Sequence, residues 1–142
     1  MLPPITPAVK NLMIINVVLF IFVFFLLRTG NNLPGYLPLH SLNSPYFQPF
    51  QFVSSMFTHF DIGHIFFNML TLYFFGPMVE QRVGGKKVFI AYLVGGLFSS
   101  ILFGLVFTFL LNTPYYLLGA SGAVSAVMYA FILFYPMEKI YL

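Results

Sequence analysis

The sequence predicts an all-α, polytopic membrane protein, and three observations carry that reading. Of its 142 residues, 60% are hydrophobic and only 6% charged, where a soluble domain carries about a quarter charged side chains. The mean hydropathy is +0.94. Four apolar runs succeed one another, separated by stretches rich in Pro, Asn, Gly and charge. Residues 1–142 therefore read as a single membrane domain. The chain has no Cys, so disulfides and thiolate sites are excluded. A net charge of +3, scattered along the chain, gives no footprint for a nucleic-acid partner. The first apolar run has no small-residue cleavage site and does not read as a signal peptide.

Residues 1–9, with Pro3, Pro4 and Pro7, read as a short non-helical tail. The first span is expected from Asn11 to Leu27, about 26 Å at 1.5 Å per residue, bracketed by Lys10 and Arg28. Arg28 to Met56 is a long connection broken by Gly30, Pro34, Gly35, Pro38, Pro45 and Pro49. Its Tyr36, Tyr46, Phe47, Phe50 and Phe52 are too apolar for a solvated linker. Amphipathic aromatics gather at the membrane–water boundary, so this loop is expected to be ordered, with short helices, and embedded at the interface.

The second span is expected over residues 62–79, interrupted near Gly76-Pro77. A compact charged turn through Glu80, Arg82, Lys86 and Lys87 should follow. The third runs over residues 88–111, about 36 Å, long enough to cross with tilt. The fourth, Ser121 to Tyr135, reaches only about 22 Å; Pro136, Glu138 and Lys139 close it. With the N-terminus in the cytoplasm, Lys10, Arg82, Lys86, Lys87 and Lys139 lie inside and Arg28 alone outside, which satisfies the positive-inside rule. A short last helix ending at the inner boundary starts about 8 Å below the outer surface of a ~30 Å core. The backbone from Tyr115 to Ala120 should then dip into the membrane, tolerated only if buried in protein or lining a wet cavity. Ser121 is thereby expected at the floor of a water-accessible pocket.

Gly119-Ala120-Ser121-Gly122 opens that last helix. A helix N-terminus presents free N–H groups and a positive dipole end, suited to an oxyanion beside a serine nucleophile. Ser is equally a favoured N-cap, and the residues alone leave both readings open. His64 and Asn68, four apart, share one face of the second span near its outer end. Polar side chains at that depth face a cavity or each other, so they either converge on a site or serve packing. His59 with His64 could form half of a metal site, but Asp61 is the one carboxylate close by and no third His is near in sequence, so no metal is expected. Two small-residue stripes, Gly122-Ala126-Ala130 and Gly96-Ser100-Gly104, are shaped for close helix packing on each other or on a further helix.

The run His59-Phe60-Asp61-Ile62-Gly63-His64-Ile65-Phe66-Phe67-Asn68, then Glu80-Gln81-Arg82-Val83-Gly84, then Gly119-Ala120-Ser121-Gly122 resembles the rhomboid intramembrane serine proteases, in order, spacing and topology. The likeness covers about residues 47–142 and implies four of the six helices of a rhomboid-like bundle, incomplete at the C-terminal end. It implies a Ser–His dyad that cleaves transmembrane protein substrates near the surface of the lipid bilayer, with no cofactor. By the same resemblance Ser121 is the nucleophile, and His64 and Asn68, with the Ser121 N–H, stabilise the oxyanion. Gly119, Gly122 and His59 support that site; Glu80 and Arg82 are structural and tie the cytoplasmic turn. The long connection becomes the family's lateral loop. Phe50-Gln51 stands where many members have Trp-Arg, and Ser125 where many have an aromatic residue.

In that family the base is a His on a sixth helix. The ending Lys139-Ile140-Tyr141-Leu142 reads as a cut into a continuing apolar segment, so the 142 residues are expected to lack the base and to be inactive alone. The alternative is a non-catalytic rhomboid-like protein that binds membrane clients. A transporter or channel fits poorly, because the spans carry essentially no charge. A soluble α/β-hydrolase elbow fits poorly too, because Ser121 follows a membrane turn and not a strand. The expected location is a bacterial inner membrane.

Overall fold

Pro7 opens the first helix instead of preventing it. In a computed structural model, which describes residues 4–137, α1 runs Pro7–Arg28 with Pro7 in its first turn. There the missing N–H is no loss and the fixed φ is helical. The expected non-helical tail is thus corrected at Pro7–Val9; residues 1–3 lie outside the described residues. The open amides at this end meet Glu80, whose two carboxylate oxygens accept from Ala8 N–H and Val9 N–H, each at 2.9 Å. A carboxylate is favoured at this pole of the helix. One side of α1 buries Val9, Leu12, Asn16 and Val23. Much of the remainder, including Ile21 and Phe25, is exposed apolar surface.

The connection after α1 is ordered through one side chain. A 3₁₀ turn at Leu33–Tyr36, strand β1 at Leu39–His40 and helix α2 at Gln51–Phe57 punctuate it. Gln51 is fully buried. Its Oε1 accepts from His40 N–H (3.3 Å) and Gln48 N–H (3.1 Å), and its Nε2 donates to Tyr36 O and Tyr46 O, both 3.0 Å. Antiparallel β1 pairs Leu39 with Leu117 and His40 with Tyr116 of strand β2 (Tyr116–Leu117). No sequence signal announced that pairing.

Helix α3 runs Ile62–Val83, capped by Asp61, whose Oδ1 accepts from His64 N–H at 2.7 Å. It continues through Gly76-Pro77, which corrects the expected interruption. A proline inside a helix removes one donor, and here Gly76 and Pro77 are buried, with Gly76 close against Val9. The expected charged turn shrinks to Gly84, whose φ of 88° is readily available only to glycine. Glu80 and Arg82 end α3, while Lys86 and Lys87 begin α4 (Gly85–Leu105), which a π-helical turn extends to Leu110.

The last helix, α5, is Ser121–Phe134. Pro7–Arg28, Ile62–Val83 and Gly85–Leu110 are long and apolar enough to cross a membrane; α5, at 14 residues, is shorter. Glu138 and Lys139, expected to close it, lie outside the described residues. The two small-residue stripes meet with an offset. Gly122 faces Ser99 and Gly95 faces Ala126, whereas Gly96 packs on Met56 and Ala123, and Gly104 on Tyr115 and Leu42. The α4 stripe therefore receives α2, the loops and, at Gly96, α5, while its neighbouring row at Gly95 and Ser99 faces α5.

Candidate active site

Three elements hold the backbone that leads into α5. Ser41 ties the strand: its N–H donates to Tyr115 O (3.2 Å) and its hydroxyl accepts from Tyr115 N–H (2.9 Å). Gly119 N–H donates to Ser55 O of α2 at 2.8 Å. Ala120 N–H donates to His59 Nε2 at 3.2 Å. Gly119 has φ +108°, and a Cβ there would overlap the imidazole of His64. Only glycine combines that backbone with that proximity.

The N-cap is Ala120, and among the described residues no side chain caps the helix. Ser121 is instead the first helical residue and is exposed. The reading of Ser121 as a capping residue is therefore set aside. The first amides of a helix have no carbonyl one turn back. The first to bond one is Val124 N–H, to Ala120 O at 2.8 Å. The amides of Ser121, Gly122 and Ala123 thus form an electropositive edge around the Ser121 hydroxyl.

His59, His64 and Asn68 gather behind this edge. His59 is fully buried and Asn68 nearly so, with Asn68 Nδ2 3.0 Å from His59 Nε2. The His59 and His64 rings meet edge to face, centroids 5.1 Å apart. His64 and Asn68 do share a face of α3, but the Asn68 amide turns to His59 and His64 packs on Gly119. Burial first, and then the neighbouring His64, push the His59 imidazole down to about 4. Among the described residues no three His, Asp or Glu side chains gather as metal ligands. Glu80 and Arg82 lie at the opposite end of α3, where Glu80 holds α1 and Arg82 is exposed.

In front of Ser121 lies a groove of about 480 Å³ between α4 and α5, lined by Ser121, Gly122, Ser125 and Ala126 with Gly95 and Ser99. Ser125, the departure from the family pattern, thus lines open space. Phe50 is exposed. Sequence reasoning missed Gln51 as the organiser of the loop and Ser55 as an anchor for Gly119. The burial of polar residues in a helix as short as α2 is visible only in three dimensions.

Comparison with known proteins agrees with this architecture. The Rhomboid domain matches residues 46–142. "RHOMBOID-like protein 12, mitochondrial" of Arabidopsis thaliana is 34% identical over 105 residues, 63% of this chain and 31% of that protein. "Rhomboid protease GlpG" of Serratia proteamaculans is 34% identical over 90 residues, 61% of this chain and 29% of that protein. GlpG of Yersinia enterocolitica is 33% identical over 90 residues, with the same coverage. The chain is a helical protein of the membrane-embedded class, with polar residues of its third helix packed around the mouth of its last. It belongs to the rhomboid family. Its matches span about 30% of the length of these curated relatives.

Proposed function

We propose that this chain carries the nucleophile of an intramembrane serine endopeptidase that cleaves transmembrane proteins. The observation that carries the reading is the placement of Ser121. It is exposed at the first turn of α5, where the amides of Ser121, Gly122 and Ala123 have no backbone partner among the described residues, with His64 against Gly119 and Asn68 on His59 behind it. Ser121 Oγ attacks the scissile carbonyl, and the developing oxyanion is received by the Ser121 N–H with His64 and Asn68. A serine hydroxyl needs an adjacent base, and the base is a histidine outside the residues described. That base takes the hydroxyl proton and returns it to the leaving amine as the C–N bond breaks. Water then hydrolyses the acyl-enzyme, releasing the acid and regenerating Ser121.

On this reading the four apolar helices lie in a bacterial inner membrane with the N-terminus in the cytoplasm, and the α1–α2 connection rests in the outer interface. The distribution of Lys and Arg and the bacterial relatives support that arrangement. The test is cleavage of a transmembrane reporter by the full-length protein in liposomes. Ser121→Ala is expected to lower turnover at least about 10³-fold while insertion is unchanged. Cleavage retained by Ser121→Ala would remove Ser121 as nucleophile. A wild-type protein that captures the reporter without cutting it would point to client binding.

A further inference from the structure

His59 lies outside the catalytic roles just described, yet it is the most completely enclosed polar ring near Ser121. Its Nε2 faces two groups, the Ala120 N–H at 3.2 Å and the Asn68 amide nitrogen at 3.0 Å. A backbone N–H can only donate. Nε2 is therefore the acceptor, the ring is neutral and its proton is on Nδ1. The same logic fixes the Asn68 amide, which must present its NH₂ to the ring and its Oδ1 elsewhere. One obligate donor thus settles a tautomer and an amide orientation at once.

We propose that His59 is a positioning residue. Its neutral Nε2 draws the Ala120 N–H away from the substrate side and sets the Asn68 amide, so that the Ser121 N–H becomes the first free donor of α5. This rests on the reading of Ser121 as nucleophile only in what the positioning is for; the hydrogen-bond geometry stands without it. The ionisable groups facing the ring are His64, edge-on from α3, and the carboxylate of Asp61 at the α3 cap. Nδ1 lies near the Phe57 carbonyl without a hydrogen bond of good geometry. Protonation would place an N–H against both donors and break both bonds. The folded imidazole is pushed down from 6.5 to about 4, with burial as the main cause. Its contribution to stability is therefore complete above about 6.5 and declines as pH falls toward about 4.

Two experiments test the role. The first is NMR of the chain in detergent micelles, with ¹⁵N-labelled histidine and ¹⁵N-alanine. His59 is expected to keep its Nδ1–H tautomer down to pH 5, and its ring and the Ala120 amide are expected to shift together near pH 4. A proton on Nε2, or a His59 titration that leaves the Ala120 amide unmoved, overturns the proposal. The second is turnover by the full-length protein. His59→Phe is expected to lower kcat about 100-fold with KM within about twofold. His59→Gln, whose Oε1 can accept at the position of Nε2, is expected to recover most of that loss. Equal kcat for His59→Phe and wild type refutes positioning while Ser121 remains the nucleophile. If Ser121→Ala is itself fully active, the assignment of Ser121 as nucleophile fails and the NMR result alone decides for or against His59.

Discussion

Behind Ser121 the chain is tied by hydrogen bonds to the long loop, to α2 and to His59, whereas in front of it Gly122, Ser125 and Ala126 of α5, with Tyr129 one turn on, line an open groove. The back uses buried polar groups in definite directions; beside Ser121 the front presents small residues, with larger apolar ones further along the groove. The contrast separates two requirements on one serine. Its backbone must be fixed to about the tolerance a reacting hydroxyl needs, and its side chain must remain reachable. A region that fixes geometry is expected to be intolerant of substitution, and a region that only leaves space is not.

The largest expected effect is at the back. Gly119→Ala forces an L-residue to φ +108° and drives its methyl into the His64 ring. Backbone strain and overpacking together are worth about 3 kcal/mol. Unfolding in mixed micelles should show that loss, and turnover by the full-length protein should fall with it. Adding His64→Ala is expected to relieve the overlap but not the strain, restoring part of the stability and no activity. If the double variant is no more stable than Gly119→Ala alone, the ring contact is not what excludes a side chain there.

A smaller effect is expected one layer further out, at Gln51. Its amide holds Tyr36, His40, Tyr46 and Gln48 together. Gln51→Ala should cost about 2 kcal/mol, since it leaves several backbone groups to find new partners. The loss should appear as faster hydrogen exchange between residues 36 and 48, with the amides of α3 and α4 unchanged. Uniformly faster exchange over the whole chain would mean that the loop and the helices unfold as one unit.

Helices α1, α3, α4 and α5 were legible because apolar length and charged brackets are local properties. The errors fell where a local rule met a tertiary partner. By the local rule Pro7 is a breaker, but an N1 proline with Glu80 waiting opposite is a helix start. By the same rule Pro77 interrupts, but α3 runs through it. The residue types of the candidate site were visible in their spacing, His64 and Asn68 on one helical face and Ser121 at a helix entrance. Their bonding was not. Spacing pairs His64 with Asn68, and only the fold brings His59 across to take the amide of Asn68 and the N–H of Ala120. The β1–β2 pair joins two-residue strands that are distant in sequence, Leu39 with Leu117 and His40 with Tyr116, too short to leave a periodic signal.

The smallest effect belongs to the front, and it is the sharper test of the contrast. Tyr129, one turn beyond Ser125 on the groove, is 62% exposed. Tyr129→Ala removes a ring that is mostly exposed among the described residues. Its cost in stability should stay within about 0.5 kcal/mol, measured by the same unfolding assay as Gly119→Ala. Because the fold is then unperturbed, any change in turnover by the full-length protein reports what the groove receives. A fall in kcat with unchanged stability would give the groove a part in assembling the site. A loss of stability above about 1 kcal/mol would show that Tyr129 packs against something within the folded chain, and the division between a fixed back and an open front would have to be redrawn.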